Sequence, residues 1–178
     1  TGVDTAVAEM LASSIRAFAD KMNAKAKKIG MDLTHCDKAS GVPALNHYTA
    51  AKDMARLAKY AMENWTFRRI VSTKYKKIHY EKPLYNFPCE NSNELLYSYP
   101  GATGIKTGYT RAAGGCLAAS AIRDNHELIV IIMHSKDTDT RFREGAKLLD
   151  YGFELLQEKD KSQSAEKELA KHSIPKKH

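Results

Sequence analysis

Residues 128–133, Leu-Ile-Val-Ile-Ile-Met, form the longest unbroken apolar run in the chain. A strand on a half-wet sheet alternates polar and apolar side chains. A run apolar at every position instead reads as a central strand covered by helices on both faces. It is far too short for a membrane helix, which needs roughly 18 continuous apolar residues. Just upstream, Asp124-Asn125 suits a two-residue turn in which both residues take positive φ. That turn joins Gly115–Arg123 to Glu127–His134 as a hairpin, and Thr103–Tyr109 is a third candidate strand.

Before the strands the period is helical. Val7, Leu11, Ile15, Phe18, Met22, Ala26 and Ile29 recur in steps of three and four, which predicts one long amphipathic helix from Ala6 to Ile29. Asp4 or Thr5 caps its start, Lys25, Lys27 and Lys28 favour its negative end, and Gly30 stops it. Met31–Tyr48 reads as a loop punctuated by Gly41, Pro43 and Asn46. Thr49 is the expected N-cap of a second helix through Met54, Leu57, Ala58, Ala61 and Met62. A short helical piece over Thr66–Val71 and an exposed strand over Lys74–Tyr80 follow. Glu81–Gly101, with three prolines, is expected to be mostly irregular. Thr138 caps a last helix whose apolar members are Phe142, Ala146, Leu149 and Phe153. After Leu156 the sequence turns to Glu, Lys, Ser and Gln. Residues 1–156 thus read as one domain, and 157–178 as a charged tail, either frayed helix or linker.

The net charge is +7, from 28 basic and 21 acidic residues. Such a balance fits a soluble protein with lysine-rich faces or a polyanionic partner. Zinc-finger spacing, an RNA-binding aromatic motif and a phosphate loop are all lacking, so nucleic acid is disfavoured. The cysteines, Cys36, Cys89 and Cys116, form neither a metal pattern nor a disulfide framework. With seven scattered histidines and no H-E-x-x-H, no metal is expected.

The chemistry concentrates in Gly101–Thr110, around Lys106-Thr107-Gly108. Here a candidate strand carries a lysine, a hydroxyl and a glycine in succession, with Gly114-Gly115 opening the return strand. The lysine supplies positive potential and the threonine hydroxyl can hold a carboxylate. The glycine lets a ligand approach the backbone closely.

Gly2–Asp4 with Ala6–Ala8, Phe18–Met31, His47–Ala55, Asn93–Leu96, Gly104–Thr110, Ala113–Ala121 and Leu148–Phe153 together resemble the low-molecular-weight D-alanyl-D-alanine carboxypeptidases. These are penicillin-binding serine peptidases that trim peptidoglycan stem peptides. The resemblance covers Thr1 to about Phe153. It implies an α/β fold of the β-lactamase and transpeptidase kind, helices on an antiparallel sheet, incomplete at the N-terminus. It implies Lys106 as the active-site lysine, Thr107 and Gly108 as the carboxylate-binding and backbone-docking positions, and Arg141 as a holder of the terminal carboxylate. No cofactor is implied. The implied partners are stem peptides and β-lactams, and the implied compartment is the bacterial cell envelope. A signal peptide and any membrane attachment would lie in segments outside these residues.

Two departures bear on activity. The S-x-x-K motif that holds the family's nucleophile is absent ahead of Lys106. A literal match, Ser164 to Lys167, stands in the charged tail, in the wrong order, and reads as chance. The family's S-x-N motif falls on Thr1-Gly2-Val3. Thr1 keeps a hydroxyl in a catalytic position, whereas Val3 replaces an amide that would hydrogen-bond. Two accounts follow. The chain is the C-terminal part of a catalytic domain whose serine comes in cis or from a second chain, or it is a non-catalytic peptidoglycan-binding homologue.

Overall fold

The computed structural model describes residues 2–81 and 84–172. In chain order the elements are α1 (Gly2–Leu11), α2 (Ile15–Lys28), α3 (Ala51–Met62), α4 (Trp65–Val71), β1 (Tyr75–Glu81), β2 (Leu84–Glu90), α5 (Leu95–Ser98), β3 (Ala102–Thr110), β4 (Gly114–Arg123), β5 (His126–Ser135) and α6 (Thr140–His172). Strands β3, β4 and β5 form one antiparallel sheet in that order, and β1 and β2 form a separate ribbon.

The apolar strand is covered on both faces, as expected. Leu128, Val130 and Ile132 pack with Leu117, Ala119 and Ala121 of β4 against Phe142, Leu149 and Phe153 of α6. Ile129 and Ile131 pack with Ala118 toward Ala58 and Met62 of α3 and Val71 of α4. Burying a side chain of this size stabilises the fold by about 1.5–3 kcal/mol. The strand is not central, however: β4 is the middle strand. Among the described residues the outer edge of β5 has no strand partner. The connecting turn is as predicted, with Asp124 at φ 49° and Asn125 at φ 63°.

Several expectations need correction. The first helix is two helices, because Ser14 turns the chain into an extended conformation and its Oγ accepts from the Ala17 amide at 3.1 Å. A serine side chain that bonds the backbone locally favours a cap over continuation. Thr49 does not cap α3. Ala50 holds the cap position without a side-chain bond, while the Thr49 hydroxyl meets that of Thr34 at 2.9 Å. The segment from Glu81 to Gly101 is not irregular, since it carries β2 and α5. Pro88 stands opposite Lys77, which a two-stranded ribbon tolerates because both its strands are edges. The start of α6 is held by Asp137 rather than Thr138: its Oδ1 accepts from the amides of Thr140 at 2.6 Å and Asp139 at 3.1 Å. Helix α6 continues past Gln157 to His172, one of the two forms expected for the charged segment. What ends near Leu156 is the buried stripe, for residues 157–166 are exposed throughout.

Two polar clusters fasten the layers. Tyr99 donates to Asp150 of α6 at 2.7 Å and accepts from Arg123 of β4 at 3.0 Å. Burial, then the neighbouring Asp150 carboxylate, pushes the Tyr99 phenol up to about 12. The second cluster is Asp53, fully buried on α3. Its carboxylate accepts from the Leu33 amide at 2.7 Å, the Thr34 hydroxyl at 2.8 Å and the Arg56 guanidinium at 3.1 Å. Burial alone would raise its pKa, but the bonds from Thr34, Leu33 and Arg56 outweigh it and hold the carboxyl below its usual value.

A depressed carboxyl stabilises the fold fully above its unfolded pKa of about 3.9 and loses that contribution as pH falls through the lower folded value. Asp53→Asn is therefore expected to lower Tm at neutral pH. The gap between the two proteins should narrow below about pH 4, as thermal unfolding across the pH range would read out. A gap independent of pH would remove the charge of Asp53 from the account.

Candidate functional site

Where the 31–49 loop and α3 face the sheet, a cleft of about 490 Å³ opens. Its walls include Met54 and Leu57 of α3 and Ile131 and Met133 of β5, and Lys106, Thr107 and Gly108 stand at its β3 side. Strand β3 lies at the sheet edge, so this triplet pairs with β4 on one side only, Gly108 opposite Cys116. Lys106 and Gly108 are exposed and Thr107 is buried. The Lys106 Nζ donates to the Thr107 carbonyl at 2.5 Å.

Arg141 reaches this strand from the first turn of α6. Its Nη1 donates to the Gly108 carbonyl at 2.9 Å, and the residue is 7% exposed. Its Nε is buried with no hydrogen-bond partner. A cation in a first helical turn faces the positive end of the helix dipole. The Gly108 carbonyl that accepts from it offsets that cost, and the Asp137 carboxylate orders the turn from which it projects. Hydrogen bonds from the Thr140 amide and side chain, then the Asp139 amide, keep the Asp137 carboxyl below its usual value. Arg141 is thus brought to the strand that carries the Lys106 triplet, but it does not join that triplet in lining the cleft.

Thr1 lies outside the described residues. The backbone of Val3 is in the first turn of α1. Ser164 follows Arg141 by 23 positions on the same helix, which at 1.5 Å per residue sets it roughly 35 Å along the axis. It does not join the cleft. Cys116 and Cys36 line the cleft as free thiols. Burial, and then Asp37, raises the Cys36 pKa, which leaves it a poor nucleophile at neutral pH.

The sequence reading gave no role to the segment that supports β3 from behind. Asn93 is fully buried, and its Nδ2 donates to the Gly104 carbonyl at 2.7 Å. Asn91 donates to the carbonyls of Val71 and Thr73 at 3.2 and 3.0 Å. Two asparagines flanking a serine just before a short helix were the available signal, because such residues bond the backbone locally.

A family model described as D-alanyl-D-alanine carboxypeptidase matches residues 3–137. The chain belongs to this family. Relatives include the carboxypeptidase DacF of Bacillus subtilis, 34% identical over 148 residues, covering 83% of this chain and 38% of DacF. The D-alanyl-D-alanine carboxypeptidase of Streptomyces sp. (strain K15) is 32% identical over 148 residues, 81% of this chain and 51% of the relative. The crystal structure of the Streptomyces K15 DD-transpeptidase superposes with a TM-score of 0.73 at 33% identity, covering 77% of this chain and 54% of that one. The chain therefore spans about half or less of the length of these relatives. The D-alanyl-D-alanine carboxypeptidase fold expected from the sequence, helices on an antiparallel sheet, is the fold found.

Gly108 can be tested apart from stability. A Cβ built there would meet only the Cys116 Cβ, at 3.9 Å, an ordinary contact. In the full-length protein, Gly108→Ala should leave Tm almost unchanged. Ligand affinity in the cleft should fall about ten- to a hundredfold, the cost of crowding a close contact by one methyl. Unchanged affinity in a β-lactam titration would show that nothing approaches the strand at this position.

Proposed function

We propose that this chain supplies the substrate-holding half of a serine-type D-Ala-D-Ala carboxypeptidase acting on peptidoglycan stem peptides in the bacterial cell envelope. The observation that supports it most directly is the Arg141 guanidinium bonded to the Gly108 carbonyl, its buried Nε without a partner, on the strand whose Thr107 and exposed Lys106 line the cleft. Two cations and a hydroxyl at one strand edge suit a ligand that ends in a carboxylate. A guanidinium matches both carboxylate oxygens with donors in one plane. Lys106 supports the proton network near the reacting peptide bond, and the Gly108 backbone docks the ligand. Thr1, in the first position of the S-x-N motif, would add a catalytic hydroxyl.

The nucleophile comes from outside these 178 residues, in cis or from a second chain. A serine attacks the carbonyl between the two alanines, D-alanine leaves, and water hydrolyses the ester. No cofactor enters this scheme. β-Lactams would acylate the same serine. In the full-length protein, penicillin should add its mass covalently to one serine outside this chain, and these residues alone should stay unlabelled. An adduct on Ser164 would overturn the assignment.

A second reading is favoured by Val3, which cannot make the amide hydrogen bonds of an asparagine. The same cleft would then bind stem peptides without turning them over. Equilibrium binding of a D-Ala-D-Ala peptide with neither hydrolysis nor acylation would select it.

Arg141 gives the sharper test of the first reading. A charge-assisted hydrogen bond contributes roughly 1.5–3 kcal/mol, so Arg141→Ala should lower kcat/KM on D-Ala-D-Ala by about one to two decades. The loss should be much smaller on a substrate whose carboxylate is blocked as an ester or amide. Equal losses on both would make Arg141 a structural residue only.

A further inference from the structure

The Oγ of Ser92 lies 2.6 Å from the Oγ1 of Thr107. We infer that Ser92 is a positioning residue that turns the Thr107 hydroxyl into a donor toward an anionic ligand. The inference rests on the proposed reading of Thr107 as part of a carboxylate site.

The argument is a count of protons. Each hydroxyl carries one hydrogen and can accept as well as donate. A carboxylate only accepts. If Thr107 spends its proton on Ser92, it has none for the ligand and presents lone pairs to a negative charge. If Ser92 donates to Thr107, the Thr107 proton is free to point into the cleft. The chain Ser92 to Thr107 to carboxylate then runs in one direction, and each bond polarises the next. At 2.6 Å the two oxygens are closer than the usual 2.7–2.8 Å of an O–H···O bond.

Ser92 has little freedom to leave this arrangement. Asn91, before it, is tied to the carbonyls of Val71 and Thr73 and accepts from the Asn93 amide at 3.0 Å. Asn93, after it, is tied to the Gly104 carbonyl of β3 at 2.7 Å and accepts from the Leu95 amide at 3.3 Å. The serine is held from both sides against the strand that carries Thr107, while the residue itself is exposed. Its hydroxyl is thus fixed in place without being part of the core.

The experiment is a double-mutant cycle in the full-length protein. It compares wild type, Ser92→Ala, Thr107→Ala and the double variant on a D-Ala-D-Ala peptide and on the same peptide with its C-terminus amidated. Ser92→Ala should lower kcat/KM on the free carboxylate about three- to tenfold, mainly through KM, the worth of one neutral hydrogen bond. It should leave the amidated peptide and Tm nearly unaffected, and Ser92→Thr should restore activity. In the Thr107→Ala background, removing Ser92 should cost nothing further. Additive losses, a loss equal on both peptides, or an unaffected Ser92→Ala would each overturn the inference while the wild type still favours the free carboxylate. A wild type that does not distinguish the two peptides would refute the carboxylate site itself, and the role of Ser92 with it.

Discussion

Everything in this structure depends on a sheet that must be dry on both faces. The β4 and β5 side chains alternate between two helical layers, Leu117 and Val130 toward Phe153 of α6 and Ala118 and Ile131 toward Met62 of α3. Neither layer could be removed without wetting a row of apolar side chains. The layers in turn fix where the sheet edge is. Strand β3 is pinned beneath α4 and the Asn91–Asn93 segment, and α6 starts where its first turn meets the carbonyl of Gly108. The position of the cleft is thus a by-product of packing, and wall residues such as Leu117 and Ile131 belong to the core as well.

The charged groups around the cleft are held by neighbours that have no direct part in the chemistry. Asp137 orders the turn from which Arg141 projects, and Asp53 ties the loop at residues 33–34 to α3, next to Met54 and Leu57 of the cleft wall. Both carboxylates are stabilised in their ionised form by hydrogen-bond donors.

Much of the fold was legible in the sequence because it is written in period. The strands from Thr103 to His134 and the positive-φ turn at Asp124-Asn125 follow from residue type alone. So does the covering of Leu128–Met133, although its place in the sheet does not, since two-sided burial is a matter of layers and not of strand order. Period also misled: Leu11 and Ile15 are four apart and look continuous, yet Ser14 caps a new helix between them. Pro88 suggested irregularity, and only pairing with a lone partner strand makes it acceptable. For the candidate site, Lys106, Thr107, Gly108 and Arg141 were singled out through motif and family resemblance. Ser92, Asn93 and Asp53 were not, because their roles come from partners 11 to 20 residues away in sequence.

Helix α6 has one further consequence. Its 33 residues are continuous, but the buried stripe ends near Leu156 and residues 157–166 are exposed. Starting a helix is the unfavourable step and lengthening it is nearly neutral. The packed part, closed by Phe142, Leu149 and Phe153, serves as a ready-made nucleus from which the turns beyond it propagate, and His126 meets Asp160 at 2.8 Å as a tether near their root. On warming, the exposed turns beyond the packed part should loosen before the sheet gives way.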